Sequence, residues 1–191
     1  MNIVIQKAQL NGIFLSYEFE QKDVESNNLM KVKSDLPVHE DLRTAFRNLI
    51  PHFAFICDQV TDEKLVEKAV ADPQLYTGDR ESAPVDTFFN YYVHSFSLNT
   101  KKGNNKITLF GYRQVVFGDE ISFSSPEIDL DSDKYKYVDD LNELVEVLKS
   151  EVVAYMEGKH APKTQMQMFT DDMEGNEADE QGAFIIPETV E

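Results

Sequence analysis

Residues 2–20 read NIVIQKAQLNGIFLSYEFE, and this stretch decides the fold class. Apolar side chains recur at every second position on both sides of Asn11-Gly12, a dipeptide that favours tight hairpin turns. The pattern predicts two antiparallel strands, each with one face directed at a core. The alternating apolar residues are Ile3 and Ile5 in the first strand and Ile13, Leu15, Tyr17 and Phe19 in the second.

Downstream of the hairpin, the apolar period changes from strand to helix. Residues 29–33 alternate like a third strand, which the turn-prone residues 34–37 end. A helix is then predicted from about His39, and Pro51 should kink or restart it because proline has no backbone donor. A second helix follows, with Thr61 as the predicted N-cap. The stripe of the first helix consists of Leu42, Phe46, Leu49, Phe53 and Ile56.

The second half of the chain repeats this plan after a polar connection over residues 72–84. Three strands are predicted at 88–98, 107–116 and 120–124, and a last helix at 137–155. The order of elements predicts an α+β fold, a largely antiparallel sheet with helices packed on one face. Two similar βββα halves would fit an internal duplication, although ordinary turn chemistry produces the same echo.

The chain has 191 residues and a formal charge of −17, distributed unevenly. From Ala161 onward there are eight acids against a single lysine. We therefore expect an α+β domain over 1–160 and a flexible, disordered acidic tail over 161–191. Such a charge argues against broad adhesion to nucleic acid or anionic membrane, but it allows a local basic patch on the domain.

Two absences in the sequence indicate a cytoplasmic protein with no membrane partner. The chain has no run of 18 apolar residues, and its N-terminal residues alternate instead of forming a signal peptide. The single cysteine, Cys57, follows an apolar run and cannot form an intramolecular disulfide, which fits a reducing compartment. A buried, inert thiol is the expectation.

Catalytic motifs are missing from the sequence, so we expect no enzyme, no cofactor and no metal. There is no phosphate-binding glycine loop, zinc-protease helix or Cys-x-x-Cys pair. Four carboxylates, Asp129, Asp131, Asp133 and Asp140, have the spacing of a calcium loop, but Lys134 occupies the position that needs glycine. An acidic turn before the last helix is the simpler interpretation. His94 is expected to pack with Tyr92 and Phe96 on one strand face.

The most basic stretch is the loop 101–106, with Lys101, Lys102 and Lys106. It joins two strands that carry aromatic residues and Arg113, and this combination suits single-stranded DNA because bases stack on rings while phosphates take the positive charge. The alternative is that the lysines serve solubility and the aromatic rings divide between core and surface. The candidate binding residues are Lys101, Lys102, Lys106, Tyr112 and Arg113.

The tail contains a short apolar segment, Gln165-Met166-Gln167-Met168-Phe169. It resembles the linear motif by which bacterial replication and repair proteins dock on the sliding clamp. The resemblance implies that Gln165 binds at the mouth of the clamp pocket while Met168 and Phe169 fill it, with Met166 beside them. The flanking acids cannot bury these apolar side chains. Addition of this segment to the domain's own sheet is the competing interpretation.

The sequence is also similar to uncharacterised proteins of prophages and mobile elements, around residues 36–42, 50–53 and Gly111-Tyr112-Arg113. We therefore expect a non-enzymatic accessory protein of DNA replication or recombination, which binds single-stranded DNA or a replication protein and is tethered by its tail. The alternative is an acidic mimic of DNA that inhibits a host defence or DNA-binding protein.

Overall fold

The computed structural model describes residues 2–22, 27–101, 104–115 and 118–162. Contacts divide the chain into two units, Met1–His160 and Ala161–Glu191. The architecture below is that of the first unit. The predicted tail beyond residue 162, with its motif, lies outside the described residues.

Within those ranges, seven strands form one antiparallel sheet. The strand order is β3-β2-β1-β4-β5-β6. The short strand β7 also pairs with β5, at residues 106–107, whereas β6 pairs with residues 110–114. The first strand of each half is therefore innermost, and β1 meets β4 at the centre. The strands are β1 (Asn2–Asn11), β2 (Phe14–Lys22), β3 (Asn27–Pro37), β4 (Tyr91–Lys101), β5 (Asn104–Gln114), β6 (Glu120–Ser124) and β7 (Ile128–Asp129).

The chain opens with the predicted hairpin about Asn11 and Gly12. Asn11 pairs with Phe14 across the turn, and Gly12 has a φ of 62°, a left-handed conformation that glycine adopts without strain. Leu15 and Phe19 are buried, as their period of two predicts. The third strand is longer than the predicted 29–33, because its pairing with β2 continues to Pro37.

Five helices follow from local signals in the described chain: α1 (Glu40–Arg47), α2 (Ile50–Ile56), α3 (Glu63–Ala71), α4 (Pro73–Thr77) and α5 (Val138–Met156). His39 caps α1 by accepting from the Asp41 amide. Pro51 lies in the first turn of α2, where a backbone N–H would have no partner within the helix, so its missing donor costs nothing.

Two predictions about the region of α3 and α4 were wrong. The N-cap of α3 is Asp62 and not Thr61, because the Asp62 carboxylate accepts from the amides of Lys64 and Leu65. The polar connection after Asp72 contains α4, whose first turn holds Pro73 and is capped by Asp72. The many turn-forming residues of this segment predicted a loop, although proline is also common in the first turn of a helix.

The helices pack on one side of the sheet, which confirms the predicted α+β architecture. α1 and α2 contact β4, while α5 contacts β1 and α1. One core fills the space between the helices and the sheet. Its largest fully buried side chains include Phe46, Phe53, Phe88, Phe96, Leu109, Leu141 and Leu148.

Candidate nucleic-acid interface

The sheet face opposite the helices, here called the open face, carries polar side chains in its N-terminal half. Leu15, Tyr17 and Phe19 contribute to the core, so their neighbours along β2 point the other way. The register places those neighbours between matching residues of β1 and β3. The open face thus carries Lys7, Gln9 and Asn11 of β1, Phe14, Ser16 and Glu18 of β2, and Lys31 and Lys33 of β3.

A notch interrupts the centre of the sheet, because β1 and β4 pair over only three residues. The ladder ends at the Gln9–Ser95 pair, and β4 has a bulge between Val93 and Ser95. The bulge breaks the alternation that was expected to place Tyr92, His94 and Phe96 on one face: Phe96 is buried in the core, whereas Tyr92 is 39% exposed. The notch, an open pocket of about 470 Å³, is lined by residues that include Leu10, Gly12, Arg43, Arg47, Tyr92, His94, Tyr112, Glu120 and Ser122.

Two tyrosine rings form one wall of the notch. Tyr92 and Tyr112 are cross-strand partners, and their rings stack with centroids 4.7 Å apart and planes inclined by 18°. Partial burial raises the pKa of Tyr112, and the Glu120 carboxylate and Tyr92 raise it further. The phenol is therefore neutral at physiological pH and presents an uncharged aromatic surface.

Helix α1 supplies the basic side of the notch. Arg43 and Arg47 are one helical turn apart, so both side chains project from the same face of α1. The Arg47 guanidinium donates to Thr44 Oγ1 at 2.9 Å and to the Glu40 carboxylate, and its side chain is 40% exposed. These contacts hold a charged, planar donor group at the pocket while leaving part of it accessible.

His94 completes the notch with a neutral imidazole. Burial lowers its pKa, and the Glu120 carboxylate opposes this shift. Within the described chain, its Nδ1 is buried and has no hydrogen-bond partner. Buried polar atoms usually have a hydrogen-bond partner, so this nitrogen is an exception among the described residues.

A second depression on the open face, here called the lysine groove, has a volume of about 770 Å³. Its lining includes Lys7, Lys31, Lys33, Glu18, Asn11 and Phe14. Three lysines against one carboxylate make it locally positive in a strongly acidic protein. Glu18 pairs with Lys31 at 3.0 Å, although the Lys31 side chain remains 66% exposed.

Among the predicted nucleic-acid-binding residues whose side chains the structure describes, only Tyr112 lies in the notch. Lys106 is six positions earlier on β5, about 20 Å away along the strand, and its ammonium pairs with Glu127 at 3.1 Å. Arg113 is on the helix-covered side, with its guanidinium 5.6 Å from the centroid of the buried Tyr91 ring. Lys101 is described only as backbone, at the same end of the β4–β5 hairpin as Lys106.

Five predicted residues lie outside the described ranges: Lys102, Gln165, Met166, Met168 and Phe169. The structure therefore gives no contact for them. The clamp motif remains a prediction from the sequence.

Sequence analysis missed most of the open-face residues. Lys7, Lys31 and Lys33 are single lysines in alternating strands and form a group only after β1, β2 and β3 pair. Arg43 and Arg47 had a local signal, their spacing of four on a predicted helix. The spacing alone could not show that the sheet is open beside them.

The acidic segment before α5 is a hydrogen-bonded turn. The Asp131 carboxylate accepts from the Asn105 amide at 2.7 Å, and the Asp129 carboxylate accepts from the Asp131 amide at 3.1 Å. In the part of the chain that is described, no group of His, Cys, Asp and Glu side chains has the arrangement of a metal site.

Burial raises the pKa of the Cys57 thiol to about 11, and the charge of Asp58 adds to this shift.

Comparisons with known proteins identify no relative. No protein-family model matches the chain, and neither the curated proteins nor the solved structures include a match. Across the described ranges, none of the helices combines the length and the apolar character that crossing a membrane requires.

Proposed function

We propose that this protein binds single-stranded DNA through the notch, as a non-enzymatic cytoplasmic accessory factor of phage or mobile-element DNA replication or recombination. The observation that carries the proposal is the stacked Tyr92–Tyr112 pair beside Arg43 and Arg47. Aromatic side chains that bind bases and cations that bind phosphates are the usual elements of single-strand recognition. Arginine also suits this role because its fork of donors matches phosphate oxygens.

Single-stranded DNA fits the notch better than a duplex. A duplex offers only its phosphates and groove edges to a surface, whereas an unpaired base can enter a pocket and stack on Tyr92 or Tyr112. The overall charge of −17 weakens non-specific binding to phosphates, so this interaction must depend on local contacts.

Fluorescence polarisation with a labelled 12-nucleotide thymidine oligomer at 50 and 200 mM salt tests the proposal. Stacking on an aromatic ring contributes about 1–3 kcal/mol per base, so Tyr112→Ala should weaken binding by roughly tenfold or more. Arg47→Gln should also weaken it. Arg80→Gln is the matched control, since Arg80 is an exposed arginine that does not line the notch. Equal affinity of wild type and Tyr112→Ala would disprove the role of the notch.

The tail is proposed to tether this factor to a bacterial sliding clamp. This proposal is supported by the resemblance of the tail sequence to the clamp-binding motif, at Gln165, Met166, Met168 and Phe169, and by the acidic residues that follow them. Phe169 is the largest apolar group of the motif, and Phe169→Ala in a peptide of residues 164–172 should cost about 2 kcal/mol or more of binding. Gln167→Ala, at a spacer position, is the control. Calorimetry that detects no clamp binding at about 100 micromolar peptide, near the weak end of measurable affinity, would exclude the tether.

An acidic mimic of DNA is the second candidate, and one surface of α5 favours it. Asp139, Asp140, Glu143 and Glu146 are all exposed on this helix. A row of carboxylates could occupy a basic DNA-binding surface of a host protein. The polarisation experiment separates the two functions, because a mimic does not bind DNA. A mimic would instead compete with DNA for the host protein, and Glu143→Gln would weaken that competition.

A further inference from the structure

We infer that the lysine groove is a second subsite for single-stranded DNA, and that one strand of nucleic acid crosses the open face from the Tyr92–Tyr112 pair to Lys7, Lys31 and Lys33. This inference rests on the proposed function of the notch. It assigns a separate set of residues and a minimum ligand length, both of which can be measured independently of the notch.

The two depressions border the same β1–β2 turn. Leu10 and Gly12 line the notch, while Asn11 and Phe14 line the lysine groove on the open face. A strand of DNA that crosses the open face beside this turn can therefore contact both depressions. Apart from Leu10 and Phe14, the side chains named at the crossing are small or polar, and Phe14 is 39% exposed.

Phe14 provides a stacking position between the tyrosines and the lysines. A large aromatic ring on a polar sheet face loses part of the benefit of burial, and Leu15 beside it in sequence is completely buried. An exposed ring next to cationic side chains is the combination that binds successive nucleotides of a single strand.

The charge of the groove is complementary to a phosphate chain. Lys31 and Lys33 project from β3 and Lys7 from β1, with Glu18 of β2 as the nearest carboxylate in the lining. Exposed ion pairs such as Lys31–Glu18 are weak, so a phosphate can replace Glu18 at the Lys31 ammonium. The three lysines then contact two or three consecutive phosphates.

Geometry sets the length of DNA required. From β5 to β3 there are four strand spacings, about 19 Å at roughly 4.8 Å each, and the register places Lys7 and Lys31 about four residues, or roughly 13 Å, further along the strands than Tyr112. The diagonal is about 23 Å and stacked nucleotides rise by about 3.4 Å along one strand, so a ligand of about seven nucleotides spans the path, and fewer suffice if the strand is stretched. An oligomer of two nucleotides reaches the notch alone.

The test compares full-length wild type with a Lys7→Gln/Lys31→Gln/Lys33→Gln variant, using labelled thymidine oligomers of two and twelve nucleotides between 50 and 300 mM salt. For the twelve-mer, the variant should bind at least tenfold more weakly at 100 mM salt. The slope of log affinity against log salt should fall by about 2, since each phosphate contact on a single strand contributes about 0.7. Binding of the two-mer should not change.

A matched control removes three lysines from the rest of the domain. Lys64, Lys68 and Lys134 are exposed and do not line either depression, so a Lys64→Gln/Lys68→Gln/Lys134→Gln variant changes the net charge equally. Its salt slope should equal that of wild type. Phe14→Ala should weaken binding of the twelve-mer several-fold and leave the two-mer unaffected.

The outcomes separate the two proposals. If wild type binds the twelve-mer and the groove variant retains its affinity and salt slope, the second subsite is disproved while the notch stands. Equal losses in the groove and control variants would also overturn it, since net charge alone would explain them. If wild type binds neither oligomer at 50 mM salt, both proposals fail.

Discussion

The two faces of this sheet have the same backbone and opposite chemistry. On the covered face, Phe96, Ile107 and Leu109 are completely buried under the helices. On the open face, the alternate positions of the N-terminal strands hold lysine, glutamine, serine and glutamate. A fold needs only one apolar face to bury a core, and the second face is free to vary without loss of the architecture. The open face, and the notch that connects the two faces, can therefore carry functional residues without loss of the core.

Truncation of a core side chain between the covered face and the helices should have the largest effect on the free energy of unfolding. Phe46 is 1% exposed, and its ring lies 6.1 Å from that of Phe96. Phe46→Ala should lower the free energy of unfolding by about 3–5 kcal/mol, because it leaves a cavity between α1 and the sheet. Leu148→Ala on α5 should cost about 2–5 kcal/mol for the same reason. Urea denaturation of each variant gives these values, and a midpoint equal to that of wild type would remove the residue from the core.

Gly111 marks the place where the covered face has no room for a side chain. A Cβ there would lie 2.1 Å from the Tyr92 carbonyl oxygen and 2.7 Å from the Phe53 ring. Gly111→Ala should therefore destabilise the fold by about 1–3 kcal/mol, since the strand and the ring must move apart. Thr108→Ala, on the same strand and half-buried, is the control and should change much less. Thermal unfolding of the two variants compares them, and equal midpoints would contradict the close approach.

The core between the covered face and the helices also contains a titratable side chain, His52 of α2. His52 is completely buried, its Nδ1 lies 2.8 Å from the Tyr135 hydroxyl, and burial lowers its pKa to about 3 from 6.5. Between these values, only the unfolded chain takes up the proton, so stability is retained above pH 6.5 and is lost as the pH falls towards 3. The loss is about 1.4 kcal/mol per pH unit, or about 2 kcal/mol at pH 5.

Urea unfolding at pH 7 and pH 5 measures this effect as a difference between wild type and His52→Leu. The variant cannot take up the proton, so its stability should fall less over that interval. Parallel pH profiles for the two proteins would show that His52 is not the group responsible.

The sequence predicted the covered face well because burial leaves a periodic pattern. The period of β2 identified Leu15 and Phe19 as core residues, the stripe of the first predicted helix identified Leu42 and Phe46, and Pro51 indicated the break between α1 and α2. Features that depend on a single hydrogen bond were less predictable. Asp62 and Thr61 are both good caps, and the choice between them depends on which carboxylate or hydroxyl meets the amides of Lys64 and Leu65.

The candidate site was less predictable, because it is assembled across strands. Lys101 and Lys106 are close to the aromatic strand residue Tyr112 in sequence, but they lie at the opposite end of the same hairpin. Conversely, Arg43 and Tyr112 are far apart in sequence and line one pocket. The bulge in β4 that opens this pocket contains no glycine or proline, so the sequence gives no signal that predicts it.

The smallest effect on stability should come from the tyrosine pair of the open face. Tyr92 is 39% exposed and stacks on Tyr112 at 4.7 Å, so removal of either ring exposes little apolar surface that was buried. Aromatic pairs contribute about 0.5–1.5 kcal/mol beyond burial, and an exposed pair belongs at the low end of that range. We expect a double-mutant cycle of Tyr92→Ala and Tyr112→Ala to give a coupling free energy below about 1 kcal/mol in urea unfolding. Each single variant should remain far more stable than Phe46→Ala while losing affinity for single-stranded DNA. A coupling as large as the loss at Phe46 would mean that the tyrosines are part of the core, and the distinction between the two faces would fail at the notch.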